Sequence, residues 1–187
     1  MPLADLRLER HGATDTARIL DQLVEVYARV YDVPPYQGDP FFSVDSFRAR
    51  LSGALEMDGF ECVTASADDA LIGLVHGVTL PEDRAWWQAL GDRRPEELRA
   101  AAQERGVGWL RELMVLPAHT NRGVGRRLHD EWITGRQQPW TTLTCIIDNQ
   151  PAHGAYVRWG YEIIGQIKHA DDSPLYDAMI LPDASGV

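Results

Sequence analysis

The sequence predicts a mixed α/β fold built as one domain over residues 1 to 187. Apolar residues recur with period two in some stretches and at helical spacing in others, and the two kinds interleave along the chain. No internal repeat, low-complexity stretch or long linker divides them. A length of 187 residues, with 44% hydrophobic and 25% charged content, is enough for one buried core.

Taken in order, LRLERH at Leu6 to His11 alternates as a short strand. Gly12, Thr14 and Asp15 then offer a helix start before the periodic run Ile19, Leu20, Leu23, Val24 and Tyr27. YDVPPYQGDPFF, Tyr31 to Phe42, carries prolines and a glycine that break the helix into an aromatic-rich loop, after which a second amphipathic helix runs from about Val44 to Leu55. FECVTASA and ALIGLVHGVTL read as two strands of a hairpin joined near Asp68 and Asp69. EDRAWWQALGDRRPEELRAAAQERG is polar and helical in two pieces, interrupted near Gly91 to Pro95, and forms an inserted helical cover after the third strand.

VGWLRELMVL, Val107 to Leu116, is a mostly apolar strand that Pro117 ends. From Gly123 the spacing of Val124, Leu128, Trp132 and Ile133 predicts a helix, and WTTLTCIID, Trp140 to Asp148, follows as a strand rich in β-branched residues. Pro151 suits a first helical turn and Gly160 a helix end. YEIIGQIK and LYDAMILP close the chain as two further strands.

Composition excludes several functions. Eighteen basic against 28 acidic side chains give a formal charge of -10, which opposes nucleic acid and anionic membrane surfaces. MPLADLRLERHG lacks the apolar run of a signal peptide, and no segment approaches the roughly 20 apolar residues of a membrane span, so a cytoplasmic protein is expected. Cys62 and Cys145 read as buried reduced thiols. His119, His129 and His153 show no metal-ligand grouping, and no metal is expected.

Against this acidic background AHTNRGVGRRLHDEW, Ala118 to Trp132, packs two glycines and three arginines between a strand and a helix. The first N–H groups of a helix have no internal partner and point at whatever lies before them, so such a turn is a recipe for holding phosphate. The bland reading is a solvated helix start whose arginines pair with Asp130 or Glu131. A nucleotide triphosphate loop would need lysine and then serine or threonine after Gly125, where Arg126 and Arg127 stand. A dinucleotide site would need a glycine where Leu128 stands. The third phosphate binder to compare is the pyrophosphate loop of an acyl-coenzyme A transferase.

LMVLPAHTNRGVGRRLHDEWI resembles the coenzyme A motif of the GNAT superfamily of N-acetyltransferases, a strand ending in Val-x-Pro, then Arg-Gly-x-Gly and an amphipathic helix. Downstream, DNQPAHGAYVRWGYEIIG is similar to that family's second pattern, with Asn149, Ala152, Tyr156, Gly160 and Tyr161 in place. Together they cover Val107 to Gly165. The resemblance implies a mixed, mostly antiparallel central sheet flanked by helices. It further implies acetyl-coenzyme A as co-substrate, a coenzyme A-binding core over 107–165, and acceptor-side helices over 12–55 and 82–106. One departure stands out: Thr120 occupies a position where the family usually has glutamine or arginine, although its hydroxyl and N–H can still donate to phosphate.

Carried over residue by residue, the resemblance implies that the backbone of Leu113, Met114 and Val115 pairs with the pantetheine arm as an added strand would. Thr120, Asn121, Arg122, Gly123, Val124, Gly125 and Arg126 would cradle the pyrophosphate. Tyr156 matches the family's usual acid for the departing thiolate, and a phenol titrating near ~10 carries its proton at neutral pH. Its other reading is an aromatic packed under the sheet. Amine attack also needs a base. Glu112, a carboxylate in an apolar strand, is the first candidate, against an ion pair with Arg111 or a neighbouring-strand arginine; alternation puts Arg111 and Glu112 on opposite faces. His76 is the second candidate. Asn149 caps the helix near Pro151 or bonds the pantetheine arm.

The reading is thus an acetyltransferase acting on a primary amine of a small, cationic molecule by direct attack. A peptide or protein amine, a non-catalytic coenzyme A-binding sensor of the same fold, and a dinucleotide enzyme are the alternatives. The family commonly forms homodimers.

Overall fold

A computed structural model of the chain describes residues 5–31, 33, 36–82, 85–168 and 173–182. Pro34 and Pro35 of the aromatic loop, Asp83 and Arg84, the side chain of Trp86 and the N-terminal Met1 to Ala4 lie outside the described residues. The strands are β1 (Arg7–His11), β2 (Glu61–Ala67), β3 (Ala70–Leu80), β4 (Val107–Val115), β5 (Trp140–Ile146), β6 (Glu162–Ile167) and β7 (Tyr176–Pro182). The helices are α1 (Ala13–Arg18), α2 (Leu20–Tyr31), α3 (Val44–Leu55), α4 (Ala85–Leu90), α5 (Glu96–Arg105), α6 (Val124–Thr134) and α7 (Gln150–Arg158). The seven strands hydrogen-bond in the order β1-β2-β3-β4-β5-β7-β6, mostly antiparallel, so the mixed α/β expectation holds. The first helix differs: it divides at Ile19, whose N–H turns back to the Thr16 carbonyl in a tightened last turn. Within the aromatic loop, Pro40–Phe42 forms one 3₁₀ turn capped by the Asp39 carboxylate, which accepts from the Phe41 N–H at 2.9 Å.

Contacts divide the chain into two units. The first comprises residues up to Val78 together with Arg111–Gly135. Its strands β1, β2 and β3 form an antiparallel meander, and the β2–β3 hairpin turns through Asp68 and Asp69, both at positive φ (49° and 58°), a conformation short polar side chains tolerate. On α2, Leu23 and Tyr27 are buried, and on α3 Phe47, Leu51 and Ala54, each set at helical spacing. The Tyr27 and Phe47 rings stack at 4.0 Å between centroids. Helix α6 buries Val124, Leu128 and Trp132, and the Trp132 indole donates to the Glu61 carbonyl at 3.2 Å. Gly73 of β3 sits so close to β4 that a Cβ there would lie 2.7 Å from the Met114 carbonyl oxygen and 3.3 Å from the Val115 Cα.

The second unit comprises Thr79–Leu110 and the chain from Arg136 onward. Helices α4 and α5 form the inserted cover read from the sequence, with Trp87, Leu90, Leu98 and Ala102 buried. The Trp87 indole donates to the Pro81 carbonyl at 2.8 Å, and the Arg94 guanidinium lies 4.8 Å above its ring. Strand β5 pairs antiparallel with β7, which pairs antiparallel with β6. The parallel register of β4 with β5 comprises Gly108↔Thr141 and Trp109↔Thr142. Cys62 in the first unit and Cys145 in the second are free buried thiols, and burial pushes each up to about 12.

Candidate active site

Strand β4 delivers the first half of the site. Leu116, just past its end, donates its N–H to the Ile72 carbonyl at 2.8 Å, and the Met114 carbonyl lies against Gly73. Strand alternation therefore turns the backbone groups of Leu113 and Val115 away from β3, while Met114 faces it. Of the three residues read as arm-binding, two keep main-chain groups directed away from the neighbouring strand.

Glu112 sits on the same strand with its side chain 19% exposed. Its hydrogen-bonded arginine comes from a helix, while Arg111 acts on it through its charge. Arg50 of α3 reaches it, with Nη2 3.3 Å from Oε1, while Arg111 directs Nη1 at the Met57 sulfur at 3.2 Å. The same Arg50 Nη2 donates to the Tyr27 hydroxyl at 3.3 Å, and Nη1 donates to the Phe41 carbonyl at 3.0 Å. The guanidinium also lies over the Phe41 and Tyr27 rings, at 5.3 and 5.9 Å from their centroids. Burial pushes the Glu112 carboxyl above the ordinary carboxylate range, with the charges of Arg50 and Arg111 opposing the rise. Such a carboxyl can shed and regain a proton nearer neutrality than an exposed one.

Sequence reasoning missed Arg50 and Tyr27 as parts of this site. The signal was present: Phe47, Arg50, Leu51 and Ala54 fall at i, i+3, i+4 and i+7, which puts one arginine on the buried face of an otherwise apolar helix stripe.

Beyond β4, Pro117–His119 makes a 3₁₀ turn and Thr120 closes it, its hydroxyl donating to the Pro117 carbonyl at 2.9 Å. The hydroxyl proton read as a phosphate donor is thus directed within the loop. Asn121 and Gly123 adopt positive φ, 58° and 81°, and aim the chain into α6. The first α-helical bond of α6 runs from the Arg127 N–H to the Gly123 carbonyl at 3.1 Å, so the N–H groups of Val124 and Gly125 precede the helical ladder. Gly123 supplies no capping side chain. Asn121, Arg122 and Gly123 are exposed, so the end is accessible to an anion. Arg126 pairs with Asp130 one turn on, Nε to Oδ2 at 2.6 Å, and Arg122 and Arg127 stand exposed beside it. Arg126 is thus paired on the helix surface with Asp130, as one sequence reading expects.

In the second unit, Asn149 caps α7, its side-chain oxygen accepting from the Ala152 N–H at 3.4 Å. Tyr156 is 8% exposed, with its ring edge-on to Trp159 and Tyr161 at 5.5 Å. His153 Nε2 lies 2.8 Å from Asp177 Oδ2 and ties α7 to β7. His76, in the first unit, is fully enclosed, neither ring nitrogen having a partner among the described residues, and burial lowers it to about 3.

The first unit thus places a half-buried carboxylate on β4 and, past a left-handed turn, a helix N-terminus able to hold an anion. The acetyltransferase (GNAT) family model matches residues 20–161, and the chain belongs to this family and is an acetyltransferase. A sequence comparison with curated proteins finds no match. Among solved structures, PH1933 from Pyrococcus horikoshii OT3 is similar over 96% of this chain and 99% of its own, at TM-score 0.65 and 19% identity. The PaiA N-acetyltransferase from Thermoplasma acidophilum, in complex with coenzyme A, is similar over 95% and 99%, at 0.57 and 13%. The ribosomal-protein-S18-alanine N-acetyltransferase from Escherichia coli covers 95% and 93%, at 0.61 and 14%. At these identities the likenesses describe the fold.

Proposed function

We propose that the enzyme transfers the acetyl group of acetyl-coenzyme A to a primary amine of a small cationic molecule by direct attack. The observation that carries this is the ion-paired Glu112, held on the strand that the Pro117–His119 turn and the following loop connect to the N-terminus of α6. In this reading the N–H groups of Val124, Gly125 and Arg126, with the cationic turn around Arg122, hold the pyrophosphate. The backbone groups of Leu113 and Val115 that turn away from β3 pair with the pantetheine arm. The family membership and the coenzyme A complex of the PaiA protein support the choice of cofactor.

Glu112 accepts a proton from the substrate ammonium, which frees the nitrogen lone pair. The nitrogen forms a bond to the thioester carbonyl carbon, the carbon–sulfur bond breaks, and the thiolate takes the proton of the Tyr156 hydroxyl; the extra proton left on the nitrogen passes to solvent, and solvent reprotonates the Tyr156 phenolate. Acceptor choice belongs to the helices within 12–55 and 82–106. The net charge of -10 favours a cationic amine over an anionic one. Two buried thiols and an acidic surface fit a reducing cytoplasmic setting; no helix among the described residues is long and apolar enough to cross a membrane.

The test is calorimetric titration with acetyl-coenzyme A, with a nicotinamide dinucleotide as control, followed by thiol release against a panel of amines. Saturable binding of acetyl-coenzyme A alone, and release of coenzyme A with a cationic amine, are expected. Absence of binding at millimolar acetyl-coenzyme A would overturn the reading.

A further inference from the structure

Four aromatic rings of α2 and the α2–α3 connection, Tyr27, Tyr31, Tyr36 and Phe42, line one cavity, with Tyr31 stacked on Tyr27 at 4.5 Å between centroids. Tyr27 and Phe47 are buried and stacked, but Tyr31, Tyr36 and Phe42 are half-buried and contact one another at 4.9 to 5.6 Å between centroids. Together with Asp39 and Tyr27 they line a cavity of about 310 Å³. Aromatic faces carry negative potential, and a carboxylate beside them makes such a cavity favourable for a cation. The neighbouring rings already hold one: the Arg50 guanidinium lies over Phe41 and Tyr27.

The cavity is also close to the acid. Tyr27 lines it, the Tyr27 hydroxyl is 3.3 Å from Arg50 Nη2, and that nitrogen is 3.3 Å from Glu112 Oε1. One guanidinium nitrogen therefore separates the cavity wall from the group proposed to take the proton of the reacting ammonium. Arg50 and Glu112 pair with each other, and Asp39 is the charged side chain among the described residues lining the cavity.

We infer that the acceptor carries two cationic centres: the ammonium that reacts beside Glu112, and a second ammonium that seats against Asp39 and the rings of Tyr36 and Phe42. The inference rests on the amine-acceptor reading above and narrows it to diamines and their longer relatives. An acceptor with a single nitrogen and an alkyl tail fills the cavity but leaves the carboxylate without a counter-charge, and loses the cation–ring attraction.

Cadaverine and pentylamine, equal in carbon chain and differing by one ammonium, are the probes. Calorimetric titration of the full chain measures both in the wild type and in Asp39→Asn and Tyr36→Leu. The asparagine can still accept from the Phe41 N–H and so keeps the turn, while removing the charge. Cadaverine is expected to bind at least about tenfold tighter than pentylamine in the wild type. That ratio is expected to collapse to within about twofold in Asp39→Asn and to shrink in Tyr36→Leu, in variants whose unfolding midpoints show them folded. Equal binding of the two probes by the wild type overturns the inference, as does a wild-type ratio retained in both variants. A cadaverine preference in a protein that does not bind acetyl-coenzyme A would sink the transferase reading and leave the dication site standing.

Discussion

Arg50 of α3 and Glu112 of β4 form an ion pair, Nη2 to Oε1 at 3.3 Å, in which the arginine's charge opposes the upward push that burial gives the strand carboxyl. The pair ties α3 to β4 within the first unit. The arginine is fixed by the Phe41 carbonyl and the Tyr27 hydroxyl, so its position depends on the α2–α3 connection, and the ionisation of Glu112 depends on Arg50.

The first prediction concerns pH. Burial raises the Glu112 carboxyl, Arg50 pulls it back down, and Arg111 helps. A base works only when deprotonated, so kcat/KM falls as pH drops through the raised value of Glu112. Arg50→Gln removes the largest charge opposing protonation, and the acid limb of the pH–rate profile moves to higher pH. At pH 7 a loss of about tenfold in kcat/KM is expected, the order of one charge-assisted hydrogen bond. Arg50→Lys restores the charge and recovers part of the shift. The profile by thiol release checks this; an acid limb that stays in place in Arg50→Gln rules out Glu112 as the base that Arg50 controls.

Acid stability is set in part by His76. The imidazole is buried among Phe60 and the strands, near the positive charges of Arg111 and Arg50, and is lowered from 6.5 to about 3. In the unfolded chain it takes a proton near pH 6.5, whereas the folded protein refuses one until about pH 3. The unfolded state therefore binds more protons between those values, and this contribution, fully present above pH 6.5, is lost as pH falls, at up to about 1.4 kcal/mol per pH unit. His76→Leu removes the titration. Denaturant midpoints from pH 7 to pH 4 are expected to fall more steeply for the wild type than for His76→Leu; parallel curves contradict a histidine buried neutral.

The order of strands and helices was legible because each element carries its own period and breaker, as Pro117 ends β4 and Gly160 follows α7. The turn before α6 was legible for the same reason: glycines and arginines at a strand-to-helix junction advertise a backbone device. Arg50 was not, because its partner is 62 residues away and only the packing of α3 against the strand shows which acid it meets. The split at Ile19 was hidden too, since Ile19 continues the apolar stripe while its N–H leaves the helical ladder for Thr16. The direction of the Thr120 hydroxyl likewise depends on a local fold of the chain, the turn at Pro117, that residue type does not announce.

Gly73 gives a test of the proposed arm-binding strand. Alanine there would set its Cβ against backbone atoms of Met114 and Val115, which cannot swing aside as a side chain would. Gly73→Ala is expected to cost about 1 to 3 kcal/mol of stability, the usual penalty of overpacking, and to displace β4 at Met114 and Val115. If Leu113 and Val115 hold the pantetheine arm, acetyl-coenzyme A affinity falls with it. Calorimetry on the folded variant decides: unchanged affinity alongside reduced stability would mean that the arm is bound elsewhere.

Tyr156 separates proton donation from packing. Its ring lies edge-on to Trp159 and Tyr161, and phenylalanine preserves both contacts while removing only the hydroxyl. Cofactor anchoring is assigned to β4 and the N-terminus of α6, so Tyr156→Phe is expected to leave acetyl-coenzyme A affinity within about twofold, a margin of about 0.4 kcal/mol. Without a proton for the departing thiolate, kcat falls by roughly 10²-fold, the lower range for a positioned general acid. The loss is expected to be smallest with a thioester of an acidic thiol, which departs without help. Steady-state rates with acetyl-coenzyme A, and with an acetyl donor of lower thiol pKa, make the distinction. A kcat equal to wild type with both donors assigns Tyr156 to packing alone, and an equal loss with both means the hydroxyl acts before the carbon–sulfur bond breaks.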